Sequence, residues 1–242
     1  MTKARGLKSI KRKIGDITKV IDELQKKRGK IHIFELGVGI GNAIMALSKK
    51  YGKRAKLSGM NLKKSHGIKN KKDFVTHALK SKVIKKGDIN NISIPSIYIG
   101  DAGERIPLKS NSVDFVYSIT TFFFVPNKAK AIEEIYRILK PKGIAVIHFK
   151  YFIKEFPKDY QNVFVIKDKE KRISVINYLR RFRKYGIRIK NTKQKFPGVK
   201  ILEIIKLKKH LNLKLKIDEK NSIKLEEIGY PHSATRSVFK VL

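Results

Sequence analysis

Two kinds of hydrophobic spacing alternate along the chain, one typical of helices and one typical of strands. Between residues 7 and 28, apolar residues recur three or four positions apart among charged ones, which predicts one or two amphipathic helices. Beyond residue 30, short runs of branched apolar residues predict strands at 31–35, 55–60, 97–100, 113–119, 144–149, 187–189 and 201–207. Longer patterns predict helices at 42–51, 73–82, 128–139 and 174–185, with Gly186 as the C-cap of the last one.

This alternation of strands and helices predicts an α/β fold. We expect a doubly wound sheet that is mostly parallel, with an antiparallel last strand, helices on both faces, and ligands at the C-terminal strand ends. A basic helical segment, residues 1–29, precedes the predicted main domain at 30–209. Residues 210–242 do not continue the alternation, so they are predicted to be a C-terminal extension, either extra strands or a surface tail.

The stretch from residue 31 to residue 41 reads Ile-His-Ile-Phe-Glu-Leu-Gly-Val-Gly-Ile-Gly, a pattern typical of a buried strand that enters a glycine turn before a helix. Glycine lets the backbone come close to a ligand because no Cβ blocks the approach. A dinucleotide site would usually show G-x-G-x-x-G and an acid at the end of the second strand, whereas this chain has Asn42 and Asn61 there. The turn therefore favours a nucleotide-like cofactor other than NAD, with an ordinary tight turn as the alternative.

Five segments, in order, resemble the motifs of class I S-adenosylmethionine-dependent methyltransferases, whose fold is Rossmann-like. Residues 34–41 resemble the first motif of that family, 58–62 the end of its second strand, 99–102 the acidic loop after its third strand, 106–118 the run into its fourth strand, and 134–143 the helix and turn before its fifth strand. The resemblance covers about half of the chain. It implies a methyltransferase domain at 30–209, with S-adenosylmethionine as its cofactor.

The resemblance implies a cofactor-binding role for nine residues. They are Glu35, Gly37, Val38, Gly39, Asn61, Leu62, Asp101, Ala102 and Ser118. Gly37 and Gly39 would pass under the methionine part of the cofactor, and Glu35 would accept hydrogen bonds near its amino group. Asp101 would accept from the adenine amino group. Asn61 stands where the family usually has an acid for the ribose hydroxyls, and its amide oxygen can still accept.

The resemblance also implies where the methyl group reaches its acceptor. Ser118 lies where the fourth strand delivers the methyl group, and Ala102 would give a backbone N–H to the adenine ring. Such enzymes gain much of their rate by positioning, and no general base or metal site is identified in this sequence. Residues 119–126 lack the Asn/Asp-Pro-Pro-aromatic signature of amino-methylating nucleic-acid enzymes, so the catalytic residues and the acceptor stay open.

Charge adds an expectation about the partner. The chain has 57 Lys and Arg against 20 Asp and Glu, a formal net charge of +37. Basic residues concentrate in 1–30, in 49–72 and in 150–200, whereas 101–149 is nearly balanced. A basic periphery of this kind suits a polyanion, and RNA is the expected partner. The alternative is a solvated, lysine-rich surface that reflects the codon bias of an AT-rich genome.

Aromatic residues accompany some of these charges. Tyr178, Phe182 and Tyr185 interleave with basic residues at 180–190, which suits RNA phosphates and unstacked bases unless the aromatic rings face the core. Three consecutive Phe residues, 122–124, follow the fourth strand. They would either stack on a flat acceptor or pack in the core and form a hydrophobic lid.

Several polar positions have simpler interpretations. Asp114 is expected to end a turn before the fourth strand, and Glu133 and Glu134 are expected on a helix surface. Gly143 is expected to supply the positive φ of the turn before the fifth strand, because Lys142 replaces the first glycine of that turn.

The sequence also excludes some kinds of site. It contains no Cys, which excludes disulfides, Cys-ligated zinc and a Cys nucleophile. No apolar run approaches the roughly 18–20 residues of a membrane span, and the basic start of the chain lacks the apolar stretch of a secretory signal. We therefore expect a cytoplasmic protein, with the mitochondrial matrix as the alternative, and no membrane or metal partner.

Three hypotheses for function follow. The first is an S-adenosylmethionine-dependent methyltransferase that acts on RNA, with ribosomal RNA as one such acceptor. The second is a small-molecule methyltransferase, because similar segments after the fourth strand occur there. The third is an inactive, methyltransferase-like RNA-binding or ribosome assembly factor, which Asn61 and the unassigned base keep open.

Overall fold

The fold is organised around a seven-stranded sheet and a smaller second sheet. The computed structural model describes residues 6–62, 68–156, 158–192, 198–229 and 234–242. Its helices in these ranges are α1 (Leu7–Ile14), α2 (Ile17–Arg28), α3 (Asn42–Tyr51), α4 (Lys71–Lys80), α5 (Lys128–Ile138) and α6 (Val175–Arg180). Its strands there are β1 (Ile31–Leu36), β2 (Ala55–Asn61), β3 (Ser96–Ile99), β4 (Val113–Ser118), β5 (Leu139–Lys150), β6 (Phe164–Asp168), β7 (Lys171–Ile173), β8 (Ile187–Asn191), β9 (Val199–Ile205), β10 (Leu215–Ile217), β11 (Ile223–Lys224) and β12 (Thr235–Val241).

The large sheet confirms the predicted doubly wound α/β fold. Its strand order is β3-β2-β1-β4-β5-β9-β8, and the strands from β3 to β5 are mutually parallel. β9, the last strand of this sheet along the chain, runs antiparallel to both β5 and β8. The strand order reverses at β1, where ligands bind in folds of this class. The C-terminal ends of β1, β2 and β4 meet at that edge.

Helices cover both faces of the large sheet, as predicted. Helices α1 to α4 contribute to one hydrophobic core, and α5 and α6 contribute to the other. The predicted helix at 174–185 is shorter than expected, because α6 ends at Arg180 and a 3₁₀ turn over Arg183–Tyr185 follows. That turn ends at Gly186, whose φ of +88° gives the left-handed C-cap.

The second sheet has the strand order β10-β12-β6-β7, with β11 paired to β12. Residues 210–242 supply β10, β11 and β12, and β12 lies parallel to β6 and antiparallel to β10. None of these strands is predicted individually from the sequence. The last segment of the chain is thereby inserted beside β6, which lies in the middle of the chain.

Asp114 anchors the N-terminal helices to the sheet, and the expectation that it ends a turn was wrong. It lies inside β4, and its side chain is fully buried. Its carboxylate accepts from Arg28 Nη1 at 2.8 Å, from Lys140 Nζ at 2.8 Å and from the His32 backbone N–H at 2.8 Å. Burial alone would raise the pKa of Asp114, but the hydrogen bonds from Lys140, His32 and Arg28 lower it below its ordinary value.

Two further expectations about polar residues were wrong. Glu134 is buried, and it accepts from the Ile106 backbone N–H at 2.9 Å and from Arg137 Nη2 at 2.7 Å. The turn predicted before the fifth strand lies inside β5, and there it is Lys142, and not Gly143, that has the positive φ of +58°. A Cβ at Gly143 would instead meet backbone atoms of Lys140 in the same strand and of Asp114 in β4, which is the physical reason for glycine there.

Asp114→Asn is expected to lower the free energy of unfolding by about 3–5 kcal/mol, because it leaves two cations without their buried carboxylate. Chemical denaturation at pH 7 measures this loss. Because the folded pKa of Asp114 is depressed, its contribution is complete above the unfolded pKa and is lost as the pH falls through the folded pKa. The gap between wild type and variant should therefore shrink in strong acid.

The matched control for this change is Asp22→Asn. Asp22 forms an ion pair with Lys50 at 3.3 Å, and its side chain is 46% exposed. Its loss should change the free energy of unfolding by less than about 1 kcal/mol. Equal losses at the two positions would contradict an anchoring role for Asp114.

Candidate functional site

The glycine turn lies at the C-terminal end of β1, where the strand order reverses. Gly37, Gly39 and Gly41 all have left-handed backbone, with φ of +83°, +57° and +79°. The Gly37 N–H donates to Met60 O at 2.8 Å, which ties the turn to the end of β2. A Cβ at Gly39 would meet no atom within 4 Å, so this side of the turn is open to a ligand.

Asn61 holds the turn in place through its side-chain amide. Its Oδ1 accepts from the Gly39 N–H at 2.9 Å, and its Nδ2 donates to Gly39 O and to Ile68 O, each at 3.3 Å. The side chain is buried. The contact of Asn61 to a ribose stays a prediction. Its hydrogen bonds to the glycine turn are not indicated by the local sequence.

Glu35 and Tyr117 form a buried pair beside the turn. The Tyr117 hydroxyl donates to Glu35 Oε2 at 2.8 Å. Burial, and then the charge of Glu35, raises the pKa of Tyr117 well above its ordinary value, so the hydroxyl remains a donor. Ser118, one residue later, donates its hydroxyl to Leu36 O at 2.9 Å and fastens the end of β4 to the end of β1.

Asp101 lies in the loop after β3, at the other end of the site. Its Oδ1 accepts from the Gly103 N–H at 2.7 Å, and burial raises the pKa of this carboxyl. Ala102, the next residue, is buried. A cavity of about 700 Å³ opens beside this loop and meets the predicted cofactor site at Gly100 and Asp101. The remaining predicted residue of this end, Leu62, is half-buried at the end of β2.

The loop after β4 covers the glycine turn. Thr121 packs so closely that its Oγ1 would lie 1.9 Å from a Cβ at Gly37. Thr120 has a left-handed φ of +54°, which is strained for a β-branched residue. Lys13, from the last turn of α1, donates through Nζ to Thr120 Oγ1 at 2.7 Å. No local sequence pattern indicates that the N-terminal helix reaches this loop.

The three Phe residues divide between the two alternatives that the sequence left open. Phe122 is fully buried, and its ring packs in the core at a tilted angle to Phe149, with the ring centroids 5.8 Å apart. Phe123 and Phe124 are half-buried, and their ring centroids lie 4.1 Å apart. Lys150 places its Nζ 5.8 Å from the Phe123 ring centroid. A cation and two accessible rings therefore flank the end of β4.

The aromatic rings of residues 178–185 face inward. Tyr178 is buried and donates its hydroxyl to Leu213 O at 2.7 Å. Phe182 and Tyr185 are half-buried and pack against the core of α5 and α6. Six basic side chains around them are exposed: Arg180, Arg181, Arg183, Lys184, Arg188 and Lys190. This segment offers charge to a partner but does not offer rings for base stacking.

Lys128 joins the loop after β4 to the second sheet. Its Nζ donates to Val125 O at 2.9 Å, to Thr235 O at 2.7 Å and to Ser237 Oγ at 2.9 Å. The side chain is fully buried, and burial lowers its pKa well below the ordinary value. Ser237 in turn donates its hydroxyl to Pro126 O. Strand β12 is thus part of what shapes this loop.

Two kinds of feature are absent from the residues that the structure describes. Neither a cluster of three or more His, Asp and Glu suited to a metal ion nor a helix long and apolar enough to cross a bilayer occurs among residues 6–62, 68–156, 158–192, 198–229 and 234–242.

Known proteins resemble this chain in its central part. Residues 34–147 match the protein family described as "Methyltransferase domain". Sterol 4-C-methyltransferase strm-1 of Caenorhabditis elegans is 22% identical over 129 residues, which are 53% of this chain and 34% of that protein. The chain thus spans about a third of the length of this curated relative.

Solved structures resemble the fold over more of the chain. The CurJ carbon methyltransferase has a TM-score of 0.51 at 11% identity, over 79% of this chain and 53% of that one. An S-adenosylmethionine-dependent methyltransferase from Aquifex aeolicus has a TM-score of 0.48 at 19% identity, over 81% of this chain and 92% of that one.

Asn61→Asp is expected to destabilise the protein, because a carboxylate cannot donate to Gly39 O or Ile68 O. The two lost donations and the repulsion between oxygens should lower the free energy of unfolding by about 1–3 kcal/mol. The matched control is Asn127→Asp at the N-cap of α5, where the side chain only accepts from the Lys130 N–H and an acid is tolerated. An unchanged free energy of unfolding for Asn61→Asp would contradict the role of Asn61 in holding the glycine turn.

Proposed function

We propose that the chain transfers a methyl group from S-adenosylmethionine to an acceptor in RNA. The premise is that residues 34–147 form a class I, Rossmann-like methyltransferase domain that depends on this cofactor. The observation that carries methyl transfer is the left-handed glycine turn, with Glu35 before it in β1 and Asp101 after β3 in the same sheet. When bound, S-adenosylmethionine would supply an electrophilic methyl group.

The residues present fit this cofactor at both ends of the site. The open side of Gly39 lets the backbone approach the methionine part, and the buried acid Glu35 suits a nearby ammonium group. The half-buried carboxylate of Asp101 suits the exocyclic amino group of adenine. Asn61 supports binding indirectly, because it fixes the turn that lies beneath the cofactor.

The loop after β4 would position the acceptor. Thr120 and Thr121 form its strained centre, and Phe123 and Phe124 offer rings on which a flat base could stack. Exclusion of water and alignment of the acceptor are enough to accelerate transfer to an already nucleophilic atom. No proton transfer by a side chain is required for such an acceptor.

The observation that favours RNA as the acceptor is the exposed charge around α6 and β8. Arg180, Arg183 and Arg188 are among six cations there whose side chains face solvent. Phosphates of a nucleic acid bind such side chains with release of counterions. The basic residues of 49–72 would add to this field, although residues 63–67 lie outside the described part of the chain.

A small-molecule acceptor is the second candidate. The relative from Caenorhabditis elegans is named as a sterol methyltransferase. In this chain, Phe123 packs against a small apolar cluster of Ile153, Phe156, Val163, Leu225 and Ala234, which favours an apolar acceptor at the same loop. Methyl transfer from radiolabelled cofactor to RNA or to a metabolite extract separates the two candidates.

Asp101→Ala is expected to weaken S-adenosylmethionine binding by about 1.5–3 kcal/mol, the usual contribution of a hydrogen bond to a charged group. Calorimetry measures the loss, and Glu104→Ala, an exposed acid of the same loop, is the control that should bind normally. Because burial raises the pKa of Asp101, wild-type affinity should fall on acidification at a higher pH than an ordinary Asp would give. Equal affinities for Asp101→Ala and wild type would remove the adenine contact.

The acceptor is tested with radiolabelled cofactor, offered with total RNA or with a metabolite extract. We expect label in RNA with the wild-type protein and at least about a tenfold loss with Gly39→Arg, whose side chain fills the open side of the turn. Label in the metabolite extract alone would favour the second candidate. RNA and cofactor binding without transfer to either pool would instead favour a methyltransferase-like RNA-binding factor.

A further inference from the structure

We propose that a row of four basic residues on the outer face of the second sheet docks the phosphodiester backbone of RNA. The row, called the cation row below, consists of Lys216, Lys240, Lys167 and Arg172, one residue from each of β10, β12, β6 and β7. The inference deepens the proposed action on RNA, yet it is argued from separate geometry, because the row lies on the second sheet and the glycine turn lies on the large sheet.

Strand register places these four residues side by side. Lys216 pairs with Lys240, Lys240 pairs with Lys167, and Lys167 pairs with Arg172. Directly paired residues of neighbouring strands point to the same face of a sheet. With strands about 4.8 Å apart, the row runs about 14 Å across the sheet. That length suits contact with several consecutive phosphates of one strand.

The row points away from the core. The residues one position earlier or later in each strand, such as Ile166, Ile217 and Phe239, pack into the core of α5 and α6. Lys216, Lys240 and Arg172 are exposed and Lys167 is half-buried. A rigid, sheet-borne set of cations therefore faces solvent.

The arrangement works against stability. Like charges directly opposite one another on a sheet are destabilising, and three such pairs occur in succession here. One carboxylate offsets part of this repulsion, since Asp218 Oδ2 lies 3.3 Å from Lys240 Nζ. Within the described residues, no carboxylate forms an ion pair with Lys167, Arg172 or Lys216. An anionic partner would offset the repulsion that the fold leaves uncompensated.

A fifth cation lies next to the row. Arg236, four residues before Lys240 on the same face of β12, has a buried Nε without a hydrogen-bond partner. Its guanidinium lies 5.9 Å from the ring centroid of Tyr160, and burial and then the charge of Arg172 lower its pKa. The positive field therefore extends along the strand as well as across the sheet.

RNA suits this face better than a lipid surface does. The apolar residues of the outer face, Val165 and Val238, are buried and cannot enter a bilayer. Phosphodiester RNA offers evenly spaced charges and needs no inserted apolar group. A purely electrostatic contact of this kind is expected to bind RNA with little sequence preference and with strong dependence on salt.

The test compares two variants of the full chain that lose the same charge. The row variant carries Lys167→Gln, Arg172→Gln, Lys216→Gln and Lys240→Gln. The control variant carries four exposed changes at the end of α4 and in the segment that follows it: Lys80→Gln, Lys82→Gln, Lys85→Gln and Lys86→Gln. Binding of a fluorescent 20-nucleotide poly(U) RNA is followed by anisotropy over a range of salt concentrations.

We expect the row variant to bind at least about tenfold more weakly at moderate salt and to lose about 2–3 from the slope of log K against log salt, since each lost phosphate contact removes about 0.7. The control variant should lose less than 1. Equal losses in both variants, or no salt-dependent RNA binding by wild type, would overturn the proposal. Loss of binding to phosphatidylserine vesicles by the row variant, with RNA binding retained, would overturn it in favour of a membrane.

Two further measurements separate this proposal from the proposed function. The row variant should unfold at the same or higher denaturant concentration than wild type in low salt, because repulsion between paired cations is removed. It should bind S-adenosylmethionine as wild type does, because the row is remote from the glycine turn. Absence of methyl transfer to RNA by wild type, together with a row-dependent salt slope, would reject the proposed function and keep the docking surface.

Discussion

The geometry of the site depends on the hydrogen bonds between the Asn61 side chain and the Gly39 backbone. A left-handed turn at Gly37, Gly39 and Gly41 has few contacts of its own, and it needs an external partner to hold one conformation. The Asn61 amide supplies an acceptor for the Gly39 N–H and a donor for the Gly39 carbonyl, both from the end of the neighbouring β2. The turn is therefore fixed to the sheet, and α3 starts in a direction that the sheet sets.

Charge inside the protein and charge on its surface are used differently. Asp114 is buried with Arg28 and Lys140 around it, so its removal would leave cations without a partner. The cation row has the opposite arrangement, because several cations share one carboxylate and face solvent. The fully buried Lys128 shows a third arrangement, because carbonyl and hydroxyl oxygens surround its ammonium group.

The large sheet could be predicted from the sequence, whereas the second sheet could not. Strands such as β1 and β4 are buried on both faces, so their mostly apolar sequences are a strong signal. Strands β6 and β10 are short, with five and three residues, and β6 pairs with β12 from the far end of the chain. Their hydrophobic alternation is too brief to separate from a loop.

The same limit applies to the candidate site. The glycine turn and the acids of the motifs follow from local sequence, and the sequence could place them at adjacent strand ends. The contact between Lys13 and Thr120 joins residues 107 positions apart, and Asp114 joins a helix and a strand on either side of it. Nothing in the local pattern distinguishes such a Lys or Asp from a solvated one, because the partner decides the role.

The loop after β4 is held in place by contacts from both ends of the chain. A strained residue such as Thr120 persists only where its surroundings fix it. Lys13 from α1 holds Thr120 on one side, and Lys128 holds the following segment against β12 on the other. The acceptor side of the site is therefore shaped before any acceptor arrives. For a reaction that depends on alignment more than on proton transfer, a preformed loop of this kind is the main contribution that the protein can make.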